Sequence, residues 1–353
     1  MQGGKGQVVS DVTIPRDQAI SRLRTKPESR SLWADAFRRL LRNRLAVIGA
    51  VIILLIVLAA IFAPVLAPQA YDAAVLADNN AVPRWVTQMF PTMLPRDQGG
   101  YVTISDKYPL GADKLGRDLL SRILYGARVS LAVALIGPLI SSVVGLVVGL
   151  TAGYLGGRVD NYLMRLVDIM YAFPTILLII LLMAVFRTSL QGQPPGTFGW
   201  ALFRLDSSIG GLLFVFIGIG LTAWMGMARM VRGQVLAVRE QAYIEAAKCL
   251  GAKTPTIILR HVLPNILGPL IIAETLAIPG YISYETFLSF IGLGVKPPLP
   301  SWGSMIAEGA LVIQPYPNQA LFPAFALALL MFSFNFLGDG LRDALDPRMR
   351  GVD

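Results

Sequence analysis

Long apolar runs constrain this chain more than any other feature of its 353 residues. The first run, 45–67, would be about 34 Å long as a helix, which is enough to cross the hydrocarbon core of a bilayer. Five further runs share this character: 129–153, 162–186, 209–228, 265–294 and 320–338. Backbone that crosses lipid must satisfy its own hydrogen bonds, and helices do so within one segment. We therefore predict an all-α integral membrane protein with six transmembrane helices.

The composition agrees with this prediction. Hydrophobic residues make up 54% of the chain and charged residues 15%, against roughly 25% charged residues in soluble domains. The net charge is +9, but the cations lie between apolar runs and form no basic face, so nucleic-acid binding is not indicated. A cleaved signal peptide is the alternative for the first run. Its apolar region would span about 7–15 residues behind a short basic leader, whereas this run is longer and begins at residue 45.

The distribution of Lys and Arg predicts the orientation. With both termini in the cytoplasm, 20 of the 31 Lys and Arg residues fall in cytoplasmic segments and one more, Arg165, falls near the cytoplasmic start of the third run, as the positive-inside rule requires. Seven of the other ten lie in one long loop, where the rule is weak. The predicted organisation is a basic cytoplasmic tail (1–44), the first transmembrane helix (45–67), an extracytoplasmic loop (68–128), a five-helix core (129–340) with a cytoplasmic loop (229–264), and a cytoplasmic C-terminal tail (341–353).

The cytoplasmic loop has the pattern of two short helices. Residues 239–250 are mostly good helix formers, and Gly251 follows them as a helix stop. Thr254 then reads as an N-cap with Pro255 at the first helical position. Pro264 is expected to end this second helix. The loop is therefore predicted to be a small helix–turn–helix outside the membrane.

The first of these helices carries a candidate docking surface. Glu245 stands beside two alanines, and a shared face is predicted for Tyr243, Ala246, Ala247 and Leu250. Alanine lets the backbone of a partner approach closely, and an amphipathic helix can lie in a groove of another protein. The alternative is a helix that covers its own bundle, and the residues alone leave both open.

The spacing in this loop resembles the coupling motif of the membrane subunits of binding-protein-dependent ABC importers. That motif reads E-A-A, three residues, G, nine residues, then x-x-L-P. The matching residues here are Glu245, Ala246, Ala247, Gly251, His261, Val262, Leu263 and Pro264. His261 stands where the family usually has isoleucine. This departure is familiar in the dipeptide/oligopeptide (peptide/nickel) branch, whose members often read H-x-L-P-N, as this chain does through Asn265.

Other stretches resemble the C-type permease subunit of the same branch. They are LGADKLGRDLLSRILYGARVSLAVAL (110–135), VDIMYAFPTILLII (167–180), ETFLSFIGLGVKPPLPSWGSMI (285–306) and LGDGLRDALDPR (337–348). The resemblance runs from about residue 31 to the end of the chain. The N-terminal tail and the middle of the loop, 68–106, match nothing in the family that can be named.

The resemblance implies a type I ABC importer permease fold with a cytoplasmic coupling helix, in a bacterial plasma (inner) membrane. It implies a second homologous permease subunit, one or two ATP-binding-cassette ATPase subunits and an extracytoplasmic peptide-binding protein as partners, besides the lipid bilayer. No cofactor is expected on this chain, because ATP and Mg²⁺ would bind to the ATPase subunits. The implied cargo is di- or oligopeptides, with nickel chelates or another small solute as the alternative.

Acids inside the apolar runs are candidate sites, because a charge in the bilayer is costly. Glu274 and Glu285 lie in the fifth run and Asp168 lies near the start of the third. The two glutamates could line a translocation path and neutralise a peptide ammonium group. A kink or break is expected at Pro279-Gly280, and alternatively these acids pair with a cation or cap that break.

Two further features concern a proline in the third span and the charged residues before the second. Pro174 is predicted to kink the third span. The charged residues Arg117, Asp118, Arg122 and Arg128 precede the second span, and we expect them to face solvent or lipid headgroups rather than to dock a binding protein.

Several motifs of other function classes are missing from the sequence. The pattern G-x-x-x-x-G-K-[ST] does not occur, so the chain has no phosphate-binding loop for ATP. Neither G-x-S-x-G nor H-E-x-x-H occurs, and the chain has one cysteine and one histidine, too few for a cysteine or histidine metal cluster. A secondary transporter would need coupling acids on several spans and usually an internal repeat, which we do not find. A membrane enzyme or assembly protein is the remaining alternative.

Overall fold

The computed structural model describes residues 32–345, and this part of the chain is built from helices. In chain order they are α1 (Leu32–Arg42), α2 (Arg44–Ile61), α3 (Ala63–Leu66), α4 (Arg84–Met89), α5 (Leu119–Leu155), α6 (Gly157–Tyr171), α7 (Thr175–Leu190), α8 (Phe198–Ser208), α9 (Leu212–Arg239), α10 (Ala242–Cys249), α11 (Thr254–Ile257), a π segment (Ile258–Val262), α12 (Leu263–Phe290), α13 (Trp302–Ala310) and α14 (Asn318–Leu345). Most of the tails 1–44 and 341–353 lies outside the described residues.

Five helices in the described region are long and apolar enough to cross a membrane. They are α2, α5, α9, α14 and the continuous helix Thr254–Phe290. The pair α6 and α7 counts as a sixth span if it is taken together, although it is bent by 83°. The prediction of an all-helical membrane protein is therefore confirmed, with the third span bent far more sharply than a kink.

The bend in the third span lies at the residues before α7. Pro174 is the residue that precedes the first turn of α7. Proline has no backbone N–H and disfavours helical geometry in the residue before it, here Phe173. Together these effects stop α6 and let α7 restart in a new direction, so a single apolar run becomes two helices.

The second span begins earlier than its apolar run. We predicted a span over 129–153, whereas α5 starts at Leu119. The carboxylate of Asp118 caps this start, accepting from the backbone N–H of Ser121 at 2.7 Å. Hydropathy does not reveal these ten residues as part of a span, because they include two charged side chains, Arg122 and Arg128.

Glycines let α5 approach α9 closely. A Cβ atom added at Gly149 would lie 2.6 Å from the carbonyl oxygen of Ala228, and one at Gly145 would lie 2.6 Å from the side chain of Met227. Neither distance is tolerable for real atoms. The glycines of the second span therefore serve helix packing, as small residues do where lipid supplies little hydrophobic drive between helices.

Residues 68–118, which we call the loop domain, pack on the connection between α13 and α14. A small core is formed by Val82, Val86, Met93 and Val102, with Tyr316 and Phe322 against it. Gln319 Nε2 donates to Asn80 Oδ1 at 2.8 Å, and Tyr101 Oη donates to the carbonyl of Pro315 at 2.9 Å. The loop is therefore a folded unit.

One hydrogen-bonded group closes this loop domain on itself. Asp78 accepts from Tyr108 Oη at 2.7 Å and from Lys107 Nζ at 3.3 Å. The hydrogen bond from Tyr108 lowers the pKa of Asp78 most, and the hydrogen bond from Lys107 lowers it further. The carboxylate therefore stays charged under mildly acidic conditions and keeps the turn at Leu76–Asp78 tied to Tyr108.

Candidate functional site

The candidate docking helix α10 follows directly from the end of α9. The chain turns at Glu240 and Gln241, and α10 runs from there to Cys249. The helix therefore starts three residues later than the pattern over 239–250 predicted. Because only two residues separate α9 from α10, a displacement of α10 acts directly on a span.

Gly251 ends α10 in the way the sequence predicted. Its φ is +79°, in the left-handed region that glycine adopts without strain. Its N–H donates to the carbonyl of Lys248 at 2.9 Å, and the N–H of Ala252 donates to that of Ala247 at 3.0 Å. These two bonds form a Schellman motif. A Cβ added at Gly251 would meet no atom within 4 Å, so backbone conformation and not space requires glycine here.

One side of α10 is anchored and the other is exposed. Ile244 is fully buried, in a cluster that includes Val235, Ile257 and Val262. Ala247 packs against the same cluster and is half-buried. Ala247 is therefore the member of the predicted face that lies nearest the protein's own core.

The remaining residues of that face are open. Leu250 is 88% exposed and Tyr243 is 44% exposed. Ala246 and Glu245 are also exposed. Tyr243, Ala246 and Leu250 are spaced three and four residues apart, so they follow one side of the helix. An apolar stripe with an acid beside it thus faces outward from α10.

The second short helix differs from the prediction in both its ends. Lys253, rather than Thr254, is the N-cap of α11. Pro264 does not end the helix, because a π segment joins α11 to α12 and Leu263 N donates to the carbonyl of Ile258. Pro264 stands in the first turn of α12, where its missing N–H costs little. The helix from the loop therefore continues into a span.

The predicted residues His261, Leu263 and Pro264 lie at this junction. His261 and Leu263 are half-buried and Pro264 is exposed. The side chain of Asn265 donates to the carbonyl of His261 at 2.6 Å. The x-x-L-P-N part of the motif thus joins the loop to α12, while Glu245 to Gly251 form the docking helix.

Glu274 lies inside the helix bundle and is bonded to hydroxyl groups. Ser141 Oγ donates to its Oε1 at 2.7 Å, and Tyr281 Oη donates to its Oε2 at 3.1 Å. Among the described residues, no cation lies within ion-pair distance of this carboxyl group. The expected pairing with a cation is therefore not found, and Glu274 instead joins α12 to α5.

Glu285 is fully buried, further along α12. Ser289 Oγ donates to its Oε1 at 2.6 Å, whereas its Oε2 has no hydrogen-bond partner in the described part of the chain. Of the kink or break expected at Pro279-Gly280, the break is not found, because α12 is continuous through both residues. Neither glutamate therefore caps a break.

Two ion pairs fasten α6 to α9 near the docking helix. Arg232 donates from Nε and Nη2 to the two carboxylate oxygens of Asp160, at 2.5 and 2.6 Å. Arg229 pairs with Asp168 and stacks on the ring of Tyr171 at 4.2 Å. Of the two readings for Asp168, the structure supports pairing with a cation.

A buried charge cluster at the other end of α5 was missed by sequence reasoning. Arg117 and Arg122 both contact Asp113, at 2.7 and 2.5 Å, and both contact Glu308 on α13, at 3.0 Å. Arg117, Asp118 and Arg122 are buried, so the prediction that they face solvent or headgroups is wrong. Two acids, Asp113 and Asp118, lie within a few residues of these arginines, and they were the available signal.

The described residues offer no metal-binding site. Within 32–345, no group of three or more His, Cys, Asp or Glu side chains is placed to hold a metal ion. The predicted site residues instead form the candidate docking helix, its glycine stop and its junction with a span. This arrangement suits the transmission of motion between a partner protein and the membrane helices.

Comparison with known proteins agrees with this arrangement. The family described as "Binding-protein-dependent transport system inner membrane component" matches residues 145–351, and "N-terminal TM domain of oligopeptide transport permease C" matches 31–83. The oligopeptide transport system permease protein OppC of Escherichia coli K12 is 41% identical, over 92% of this chain and 93% of that protein. OppC of Bacillus subtilis 168 is 37% identical over 92% of each chain. The dipeptide transport system permease protein DppC of B. subtilis 168 is 38% identical, over 92% of this chain and 88% of that protein.

These matches cover nearly the whole chain, including its first span and the loop 229–264. Membership in this family implies an ATPase and a binding protein as partners. The chain therefore belongs to the binding-protein-dependent transport system inner membrane components, as a multi-pass, non-catalytic permease subunit of an ABC importer.

Proposed function

We propose that this chain and a second homologous permease together form the pathway of an importer for di- or oligopeptides. One or two separate ATPase subunits bind on the cytoplasmic side, and an extracytoplasmic binding protein delivers the peptide. The peptide cargo is supported by the names of the similar proteins, which are oligopeptide and dipeptide permeases. Nickel chelates or another small solute remain the alternative cargo.

The observation that carries this proposal is the exposed apolar stripe of α10. Leu250 stays 88% exposed in the folded chain. Burial of its apolar surface against a partner would therefore stabilise the complex. Ala246 beside it lets the partner's backbone come close, and Glu245 supplies a charge that a cation of the partner can match. A helix presented in this way fits a groove on another protein. We assign that groove to the ATPase.

The connections of α10 explain how nucleotide binding would move the spans. Ile244 holds the helix to the core cluster that Val235 of α9 and Val262 of the π segment share. When ATP binding closes the ATPase pair, α10 follows its groove and pulls on both α9 and α12. The permease then shifts between inward-open and outward-open populations, driven by the difference in binding free energy between the two states.

Glu274 and Glu285 belong to the helix that α10 would move. Both are buried in α12 and bonded to hydroxyl groups rather than to cations. We propose that they face the path in the outward-open state and attract the ammonium group of a peptide. Glu274→Gln should then weaken uptake of a peptide with a free N-terminus more than uptake of its acetylated form, whereas a structural role would affect both equally.

Orientation follows from the Lys and Arg distribution. We propose that both termini and α10 are cytoplasmic and that the loop domain is extracytoplasmic. The loop domain is then the surface nearest the binding protein. The loop domain has its own core and contacts both the connection from α13 to α14 and the start of α14. It would therefore present that protein with a rigid face.

The proposal is tested by reconstituting the whole importer in proteoliposomes. ATP-dependent uptake of labelled di- and oligopeptides should require both permeases, the ATPases and the binding protein. A nickel chelate, offered in the same assay, separates the alternative cargo. Uptake driven by an ion gradient without ATPase subunits would show a secondary transporter instead and would refute the proposal.

A further inference from the structure

A groove lies among α2, α5, α12 and α14, and no residue of α10 lines it. Its volume is about 750 Å³, within the range of small-molecule binding sites. Its walls are apolar and include Val57, Ala132, Leu135, Ile278 and Phe334. Because these helices are candidate membrane spans, we expect the opening of the groove to meet lipid rather than water.

One charged side chain, Arg128, stands among the described residues that line the groove. Its Nε donates to the carbonyl of Ala60 at 2.7 Å and its Nη2 to that of Ile61 at 3.3 Å. These are the last two residues of α2, so the guanidinium lies where the first span ends. The ring of Tyr125 lies under it at 4.7 Å, and Tyr71 packs on that ring. Aromatic residues of this kind gather at the level of the lipid headgroups.

The contacts of Arg128 leave capacity for an anion. A guanidinium carries five N–H donors in a planar fork, and the two carbonyls of α2 use two of them. Arg128 is exposed, so the remaining donors are accessible from the membrane surface. A phosphate group accepts two such bonds at once.

We infer that this groove binds an anionic phospholipid, with an acyl chain against the apolar walls and the phosphate on Arg128. The depth of Arg128 matches this ligand, because its charge lies at headgroup level while the groove extends into the hydrocarbon region. A helix of the second permease could also cover an apolar groove, but that alternative gives no reason for the cation Arg128 at its rim. The bound lipid would hold α2 against the rest of the helix bundle.

The test uses the assembled importer, stripped of lipid in detergent and titrated with phosphatidylglycerol or phosphatidylcholine while bound lipids are counted by native mass spectrometry. The wild-type complex should hold phosphatidylglycerol about fivefold more tightly, the preference that one basic residue near a membrane surface gives. Arg128→Gln should remove this preference. Ala132→Trp, which fills the groove, should lose the lipid altogether.

A matched control lies two turns further along α5. Leu139 is 59% exposed on the same helix and does not line the groove, so Leu139→Trp should keep the wild-type preference. Size-exclusion chromatography checks that each variant assembles. Equal retention of both lipids by the wild-type complex would overturn the inference. So would an Ala132→Trp complex that keeps its lipid, or one that loses the second permease instead.

Discussion

Replacement of Gly251 tests the docking helix without touching a span. The φ of +79° at Gly251 lies in the left-handed region, which costs most other residues ~1–2 kcal/mol, and a β-branched residue resists it most. No atom lies within 4 Å of an added Cβ, so the whole cost falls on the backbone. Gly251→Val should therefore break the Schellman bonds at the end of α10.

The size of the effect follows from that strain. A strain of ~1–2 kcal/mol lowers the ratio of intact to frayed ends of α10 by about 5–30-fold, so fewer molecules are ready to dock. Gly251→Val should be the most impaired, Gly251→Ala less so, and Gly251→Asn nearly normal, because Asn tolerates this region better than other non-glycine residues. The assay measures peptide uptake and ATPase stimulation by loaded binding protein, each divided by the membrane level of the permease.

Gly233 supplies the control for this series. It lies inside α9 near the same end of the span, and an added Cβ there also meets no atom within 4 Å, but its φ is not positive. Gly233→Ala should leave uptake unchanged. If Gly251→Val and Gly251→Ala also leave uptake and stimulation unchanged at equal membrane levels, the reasoning about α10 is refuted.

Three further predictions test other parts of the account. Glu245→Lys reverses an exposed charge on α10, so the ATPase subunits should co-purify poorly while the permease still inserts; unchanged co-purification would remove Glu245 from the interface. In a Cys249→Ser background, Gln88→Cys in the loop domain should react with an impermeant thiol reagent from outside the cell; reaction only in inverted vesicles would reverse the proposed orientation. Asp113→Asn removes the carboxylate that pairs with the buried Arg117 and Arg122. It should destabilise the protein by ~3–5 kcal/mol, which would appear as a lower membrane level. Asp97→Asn, which breaks an exposed pair with Arg84, should cost at most ~1 kcal/mol, and equal effects of the two would contradict the burial argument.

The spans were predictable because apolar length alone determines whether a helix can cross a membrane. The stop at Gly251 was predictable for a different reason, since it depends on local backbone conformation that glycine alone adopts without strain. Both features rest on information carried within a few neighbouring residues.

The failures share one physical origin, which is tertiary context. Pro264 was expected to end a helix. A π segment instead precedes it, and Pro264 stands in the first turn of α12. Arg117 and Arg122 were expected to face solvent or lipid headgroups, although Asp113 and, from α13, Glu308 neutralise them in the interior. A partner distant in sequence has no local signature, so hydropathy and propensity could not place these residues.

The central claim is that α10 docks on a separate ATPase, and the chain's one cysteine tests it directly. Cys249 is exposed at the end of α10, three residues from Ala246. In inverted membrane vesicles, maleimide should label Cys249 rapidly when the permeases are expressed without the ATPase subunits, and much more slowly when the whole importer is assembled. Labelling at equal rates with and without the ATPase subunits, in vesicles where those subunits co-purify with the permease, would contradict the account.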